Sequence, residues 1–160
     1  MTRLAPLLLL LASCASSAGK PEVFVFITTD CPIANAFAPE IKRIVAEYEP
    51  RGVAFSLVYT DGAADAVRKH AAEYGYESAV RFDTGRVLSR KHGVTVTPEA
   101  VVLSGGARVY RGRIDDRYLA PGQYRLKPTT HELRDALDAV LAGRPVAVAE
   151  TRAAGCPLTD

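Results

Sequence analysis

Tryptophan is absent from this chain, and methionine occurs once, at its start. Cysteine and histidine are scarce too, with three of each among 160 residues. The histidines, His70, His92 and His131, are scattered and form no zinc-ligand spacing, so neither metal nor cofactor is expected. Charge of one sign is also lacking. The formal net charge is +2, basic residues are interleaved with Asp and Glu, and there is no basic stripe of the kind that binds nucleic acid. No apolar run approaches the roughly 20 residues needed to cross a bilayer. A length of 160 residues supports one hydrophobic core and hence one principal domain.

The N-terminus does carry a signal. Arg3 is followed by the short apolar run Leu4 to Leu11, which suits the core of a secretory signal peptide. Leu11-Ala12-Ser13-Cys14 then resembles the bacterial lipoprotein signal, in which an aliphatic residue and two small ones precede the cysteine that receives lipid. That resemblance implies removal of residues 1–13, lipidation at Cys14 and a short tether over 14–20. The protein is then exported to the cell envelope and bound to the membrane through its lipid. Asp does not follow Cys14, which favours the outer membrane in a Gram-negative source. The alternative is an ordinary signal peptide that happens to contain a cysteine. If Cys14 carries lipid, Cys31 and Cys156 remain as a pair in an oxidising compartment.

Along the rest of the chain the hydrophobic period alternates between that of strands and that of helices. Glu22 to Thr28 and Val53 to Tyr59 read as buried strands. Between them Phe37, Ile41, Ile44, Val45 and Tyr48 recur at helical spacing from Pro32, and Pro39 inside that helix predicts a kink. A second helix follows through Ala64, Val67, Ala71 and Tyr74, closed by Gly75. A short strand at Val80 to Asp83 and a short helix over Gly85 to His92 come next. Ala100 to Leu103 and Arg108 to Ile114 flank the turn signal Ser104-Gly105-Gly106. Asp115 to Pro128 reads as a polar loop. Thr129 and Glu132 form a capping box for a last helix stopped by Gly143. This order predicts a three-layer α/β sandwich with a mixed central sheet and helices on both faces, spanning 21–143, followed by a tail over 144–160 that carries Cys156.

The chemistry centres on Cys31, placed between a buried strand and a helix. The free N–H groups of a first helical turn and the helix dipole favour a thiolate, the nucleophilic form of cysteine. Pro32 fits the first helical position. Asp30, next to the thiol, opposes the effect.

With Cys31, Pro39 and the segment Lys91-His92-Gly93-Val94-Thr95-Val96-Thr97-Pro98 in order, the chain resembles the thioredoxin superfamily over residues 21–143. The resemblance implies a thioredoxin-like fold, a cis Thr97-Pro98 bond, and a role for Thr97 and Pro98 in positioning a substrate beside the thiol. Ala34 replaces the second cysteine of the usual Cys-x-x-Cys, which excludes a simple local dithiol, and Val25 stands where many relatives bury an aspartate. Thr28-Thr29-Asp30-Cys31 matches the Thr-x-x-Cys of peroxiredoxins, which makes Thr28 a substrate-binding candidate, although Phe24 replaces the proline of that pattern. The stretch Thr29 to Asn35, with Gly155-Cys156 near the end, resembles exported bacterial redoxin-like proteins with one cysteine at this position.

The resemblance implies a thiol-dependent oxidoreductase acting on protein disulfides or peroxides and served by a thiol reductant, with Cys31 attacking. Cys156 fits a resolving role, since a tail of about a dozen residues at up to ~3.3 Å each reaches back across a domain. A structural disulfide, an intermolecular one and an isolated thiol are its alternatives. Two further readings are a copper carrier using Cys31, Cys156 and one histidine, and a non-catalytic docking domain. His70 is expected in solvent, His92 packed near Pro98 and His131 exposed. The cluster Arg111, Arg113, Asp115 and Asp116 reads as surface ion pairs, with Arg113 placed to approach the thiolate.

Overall fold

The computed structural model describes residues 19–158; the expected signal peptide, Cys14 and most of the tether lie outside them. Five strands form the main sheet: β1 (Glu22–Ile27), β2 (Ala54–Tyr59), β3 (Ala79–Phe82), β5 (Glu99–Ser104) and β6 (Ala107–Gly112). Their spatial order is β3-β2-β1-β5-β6. β1 runs parallel to β2, and β2 to β3, while β1–β5 and β5–β6 are antiparallel. Four helices accompany them: α1 (Pro32–Tyr48), α2 (Ala64–Tyr74), α3 (Val87–His92) and α4 (Glu132–Leu141). The sheet is mixed, as the element order predicts.

Strand alternation divides the apolar residues between two faces. Val23, Val25 and Ile27 of β1 join Leu57, Tyr59, Val102 and Tyr110 in the larger cluster, covered by Phe37, Ile41, Ile44 and Tyr48 of α1 and by Leu133 and Leu137 of α4. Val67 brings α2 into the same cluster. Phe24 and Phe26 point the other way, into a smaller cluster with Val58, Val94 and Val101, against which Leu88 of α3 packs. α1 continues through Pro39 to Tyr48. Gly75, at φ 64, takes the left-handed conformation that ends α2.

Three expectations need correction. The N-cap of α4 is His131, with no side-chain cap bond, in place of Thr129. Thr129 is drawn elsewhere, because its backbone N–H donates to the buried Asp116 carboxylate at 2.6 Å. The loop after β6 contains a small hairpin, β7 (Tyr118–Ala120) with β8 (Gln123–Tyr124). The tail is packed rather than loose. Arg111 N–H donates to Ala149 O and Thr151 N–H to Arg111 O, each at 3.0 Å, which lays residues 149–151 along β6. Farther on, β9 (Cys156–Pro157) pairs antiparallel with β4 (Val96–Thr97), placing Cys156 opposite Thr97.

Candidate functional site

Cys31 is the N-cap residue of α1, and Pro32 follows at the helix start. The Ala34 N–H donates to the Cys31 sulfur at 3.4 Å, so the first turn directs a free amide at the thiol. The Cys31 thiol donates in turn to Thr97 O at 3.0 Å. Thr97 precedes a cis bond to Pro98, as the resemblance implies. Thr28 and Thr97 meet through their hydroxyls at 3.2 Å, both buried. The sheet thus brings Cys31, Thr28, Thr97 and Pro98 together from the ends of β1, α1 and β4.

Cys156 reaches this group through the β4–β9 pairing. Both Cys31 and Cys156 are free thiols here. The Cys156 thiol is pushed up to about 12, first by burial and then by the neighbouring Cys31 side chain and the negative charge of Cys31 and Asp30. It therefore holds its proton while Cys31 is reduced. A cleft of about 230 Å³ opens beside the pair, lined by Thr28, Asp30, Thr60, Asp61, Arg86 and Cys156. Arg86 is the one non-glycine residue with positive φ among the described residues, at 58.

The segment leading into Cys31 is held by a buried relay. Tyr59 hydroxyl bonds His70 Nδ1 at 2.8 Å, and His70 Nε2 bonds Asn35 Oδ1 at 2.9 Å. The Asn35 amide then donates to Thr29 O at 3.3 Å. Since Asn35 donates through nitrogen to Thr29, its oxygen faces His70. This assigns Nε2 as the His70 donor and Nδ1 as acceptor from Tyr59. Burial lowers the His70 pKa and pushes that of Tyr59 up to about 12, so both stay neutral in these roles. On the other side of the loop, Thr29 N–H donates to Asp61 at 3.2 Å. Burial raises the Asp61 carboxyl, and the Thr29 amide pulls it partly back.

The expectation of a solvated His70 is thus overturned. Its spacing carried the signal, for position 70 lies three residues after Val67 and four before Tyr74, on the buried side of α2. Asp61, in the bend after β2, and Arg86, at the end of a short 3-10 helix, had no comparable signal. His92 is buried and meets Phe24 edge-on at 5.8 Å. Arg113 does not approach the thiol; it donates to Glu132 at 2.7 Å. Asp115 and Asp116 are buried, not surface charges. No group of three or more His, Cys, Asp or Glu able to hold a metal occurs among the described residues, so no histidine joins Cys31 and Cys156 as the copper-carrier reading expected. Nor is any described helix long and apolar enough to cross a membrane.

Known proteins supply a context for this geometry. The sequence model of the AhpC/TSA family matches residues 11–112, more than half of the chain. No curated protein matches significantly. Among solved structures, an uncharacterised conserved protein from Geobacillus kaustophilus is 26% identical, with a TM-score of 0.78 over 89% of this chain and 78% of that one. A hypothetical protein from Sinorhizobium meliloti is 24% identical, with a TM-score of 0.76 over 86% and 78%. A secreted Mycobacterium tuberculosis disulfide oxidoreductase homologous to E. coli DsbE is 22% identical, with a TM-score of 0.52 over 78% and 81%. The fold is thioredoxin-like, and the chain belongs to the AhpC/TSA family.

Proposed function

We propose that this AhpC/TSA-family protein is a cell-envelope thiol-dependent oxidoreductase in which Cys31 is the attacking sulfur and Cys156 the resolving one. The observation that carries the reading is the second thiol, delivered to a helix-capping cysteine by a strand pairing at Thr97. In the first step Cys31 thiolate attacks one sulfur of a substrate disulfide. The S–S bond breaks, a mixed disulfide forms on Cys31, and the departing thiolate takes up a proton. Cys156 then gives up its proton and attacks Cys31 Sγ, expelling the second substrate thiol and closing a Cys31–Cys156 disulfide. The substrate gains two electrons and two protons, which an external thiol reductant returns to the pair.

The order of attack follows from the electrostatics. While Cys31 is reduced, its negative charge helps to hold the proton on Cys156. That influence vanishes once Cys31 is in a mixed disulfide, and Cys156 becomes easier to ionise at that stage. Thr97 and Pro98 position the substrate, with Thr28 bonded to Thr97 behind them. The small cleft beside Cys156 favours a second reading in which the oxidant is a peroxide. There Cys31 takes the terminal oxygen as a sulfenic acid, an alcohol leaves, and Cys156 condenses with loss of water.

Export is supported by the leader-like N-terminus and by the secreted Mycobacterium relative. Lipid attachment at Cys14 is part of the same proposal, and Cys14→Ala should release the protein from the membrane fraction. Mapping thiols by mass spectrometry before and after a disulfide oxidant or peroxide tests the mechanism. A Cys31–Cys156 crosslink should form and clear on reduction. Cys31→Ser should abolish turnover, and Cys156→Ser should trap the mixed disulfide. Turnover that survives Cys31→Ser overturns the reading.

A further inference from the structure

Residues 28–31 belong neither to β1 nor to α1, so Cys31 is carried on a short bend that strand and helix fix only at its ends. Within that bend Thr29 is gripped from three sides. Its N–H donates to Asp61 at 3.2 Å, and its carbonyl accepts from the Asn35 side-chain amide at 3.3 Å. Gly62, at φ 89, leaves room for the Thr29 methyl, since a Cβ there would lie 3.4 Å from it. Asn35 spans the cysteine, because its backbone N–H also donates to Cys31 O at 3.0 Å. An amide side chain on a first helical turn is free to rotate unless something holds it. Here His70 Nε2 bonds the amide oxygen at 2.9 Å and thereby fixes where the nitrogen points. His70 is held in turn, with Nδ1 on the Tyr59 hydroxyl at 2.8 Å and its ring 4.5 Å from that of Tyr74. A buried histidine from another helix thus orients one amide beside Cys31.

We propose that His70 is a positioning residue for the thiol exchange, holding through Asn35 the bend that keeps the Cys31 sulfur within reach of Cys156. The inference rests on the proposed function of the two thiols. The second step depends most on this hold. A mobile substrate can follow small shifts of the Cys31 sulfur in the first attack. Cys156 cannot, because its strand pairing fixes it opposite Thr97. In that step the Cys156 thiolate attacks Cys31 Sγ in line with the bond to the substrate sulfur. The Cys31–Cys156 bond forms, the bond to the substrate breaks, and the departing thiolate takes up a proton from water. Misplacing one reacting atom by about 1 Å costs roughly 100-fold in rate. A bend released by Asn35 lets the mixed disulfide swing away, and external thiols then compete for it with Cys156. Neutral His70 is the form that accepts from Tyr59 while donating to Asn35, and burial favours that form.

The test follows the reduced full chain, with Cys14→Ala as background, reacting with a chromogenic aryl disulfide in a stopped-flow absorbance experiment. One coloured thiolate is released when Cys31 attacks and a second when Cys156 closes the disulfide. His70→Phe keeps a ring beside Tyr74 and removes the donor to Asn35. Asn35→Ala removes the donor to Thr29 at a partly exposed position where alanine suits the helix, which keeps the test decisive should His70→Phe fail to fold. Both should slow the second release about tenfold or more and leave the first within about threefold. His70→Gln, whose amide nitrogen stands in for Nε2, should restore the second release. Val67→Ala loosens the core beneath the same helix without touching the relay, and should leave both releases unchanged. Wild-type second release in Asn35→Ala or in folded His70→Phe overturns the inference. So does equal slowing in Val67→Ala, or a His70→Gln variant no faster than His70→Phe. Absence of the first release in the parent protein would instead sink the reading of Cys31 as nucleophile, and this inference with it.

Discussion

His70 acts through its neutrality. As a neutral ring it accepts from the Tyr59 hydroxyl and donates to Asn35, which steadies the Thr29 carbonyl two residues before Cys31. Removing one partner from a buried hydrogen bond costs about 1–3 kcal/mol, because the group left behind has already lost its water. Tyr59→Phe should therefore lower the unfolding free energy by that amount, read as a lower urea midpoint with the slope unchanged. Acid should loosen the same relay. Burial holds the His70 pKa below its ordinary 6.5, so its contribution is complete above pH 6.5 and is lost as pH falls through the lowered value. Cys156 behaves differently, being held protonated partly by Cys31. Alkylation of Cys156 at pH 9, followed by mass spectrometry, should be faster in Cys31→Ser than in the wild type.

Helix entrances show where pattern reading succeeds and where it stops. α1 was legible because Phe37, Ile41 and Ile44 repeat at helical spacing and Pro32 marks the first turn, and these local features determine both the helix and the place of Cys31. The start of α4 was misread because Thr129 and Glu132 satisfy the capping pattern while Asp116, distant in sequence, recruits Thr129 and Thr130 for itself. Only the folded loop brings that carboxylate near. The entrance to α3 has the same character. Asp83 accepts from Leu88 N–H at 2.7 Å and Ser89 N–H at 2.9 Å, supplying acceptors that the helix start lacks. Asp83→Ala should cost about 0.5–2 kcal/mol, as the loss of an N-cap does, with thermal unfolding as the check. The β4–β9 pairing was beyond sequence reading for a related reason. Strands of two residues have too few positions to show a period, and only Gly155-Cys156 hinted that the tail had a place to go.

At the level of the whole molecule, the segments after β6 are tied back by charge. Burial pushes the Asp116 carboxyl up, but hydrogen bonds from Thr129 and Thr130 with the Arg125 charge outweigh it and bring it down to about 2. Its stabilising effect is complete above the ordinary value of 3.8 and disappears as pH falls through about 2. Exchange of the Thr129 and Thr130 amides should accordingly rise across that window relative to amides of the central sheet, as measured by mass spectrometry after acid pulses. The direction of β1 has a consequence for the orientation of the protein. The strand enters the sheet at Glu22 and leaves at Ile27, with Cys31 just beyond that end. Six residues of strand span roughly 20 Å at about 3.3 Å each. The chain thus enters the sheet at the end opposite Cys31, so the lipid anchor proposed above would put the width of the sheet between the membrane and the thiols.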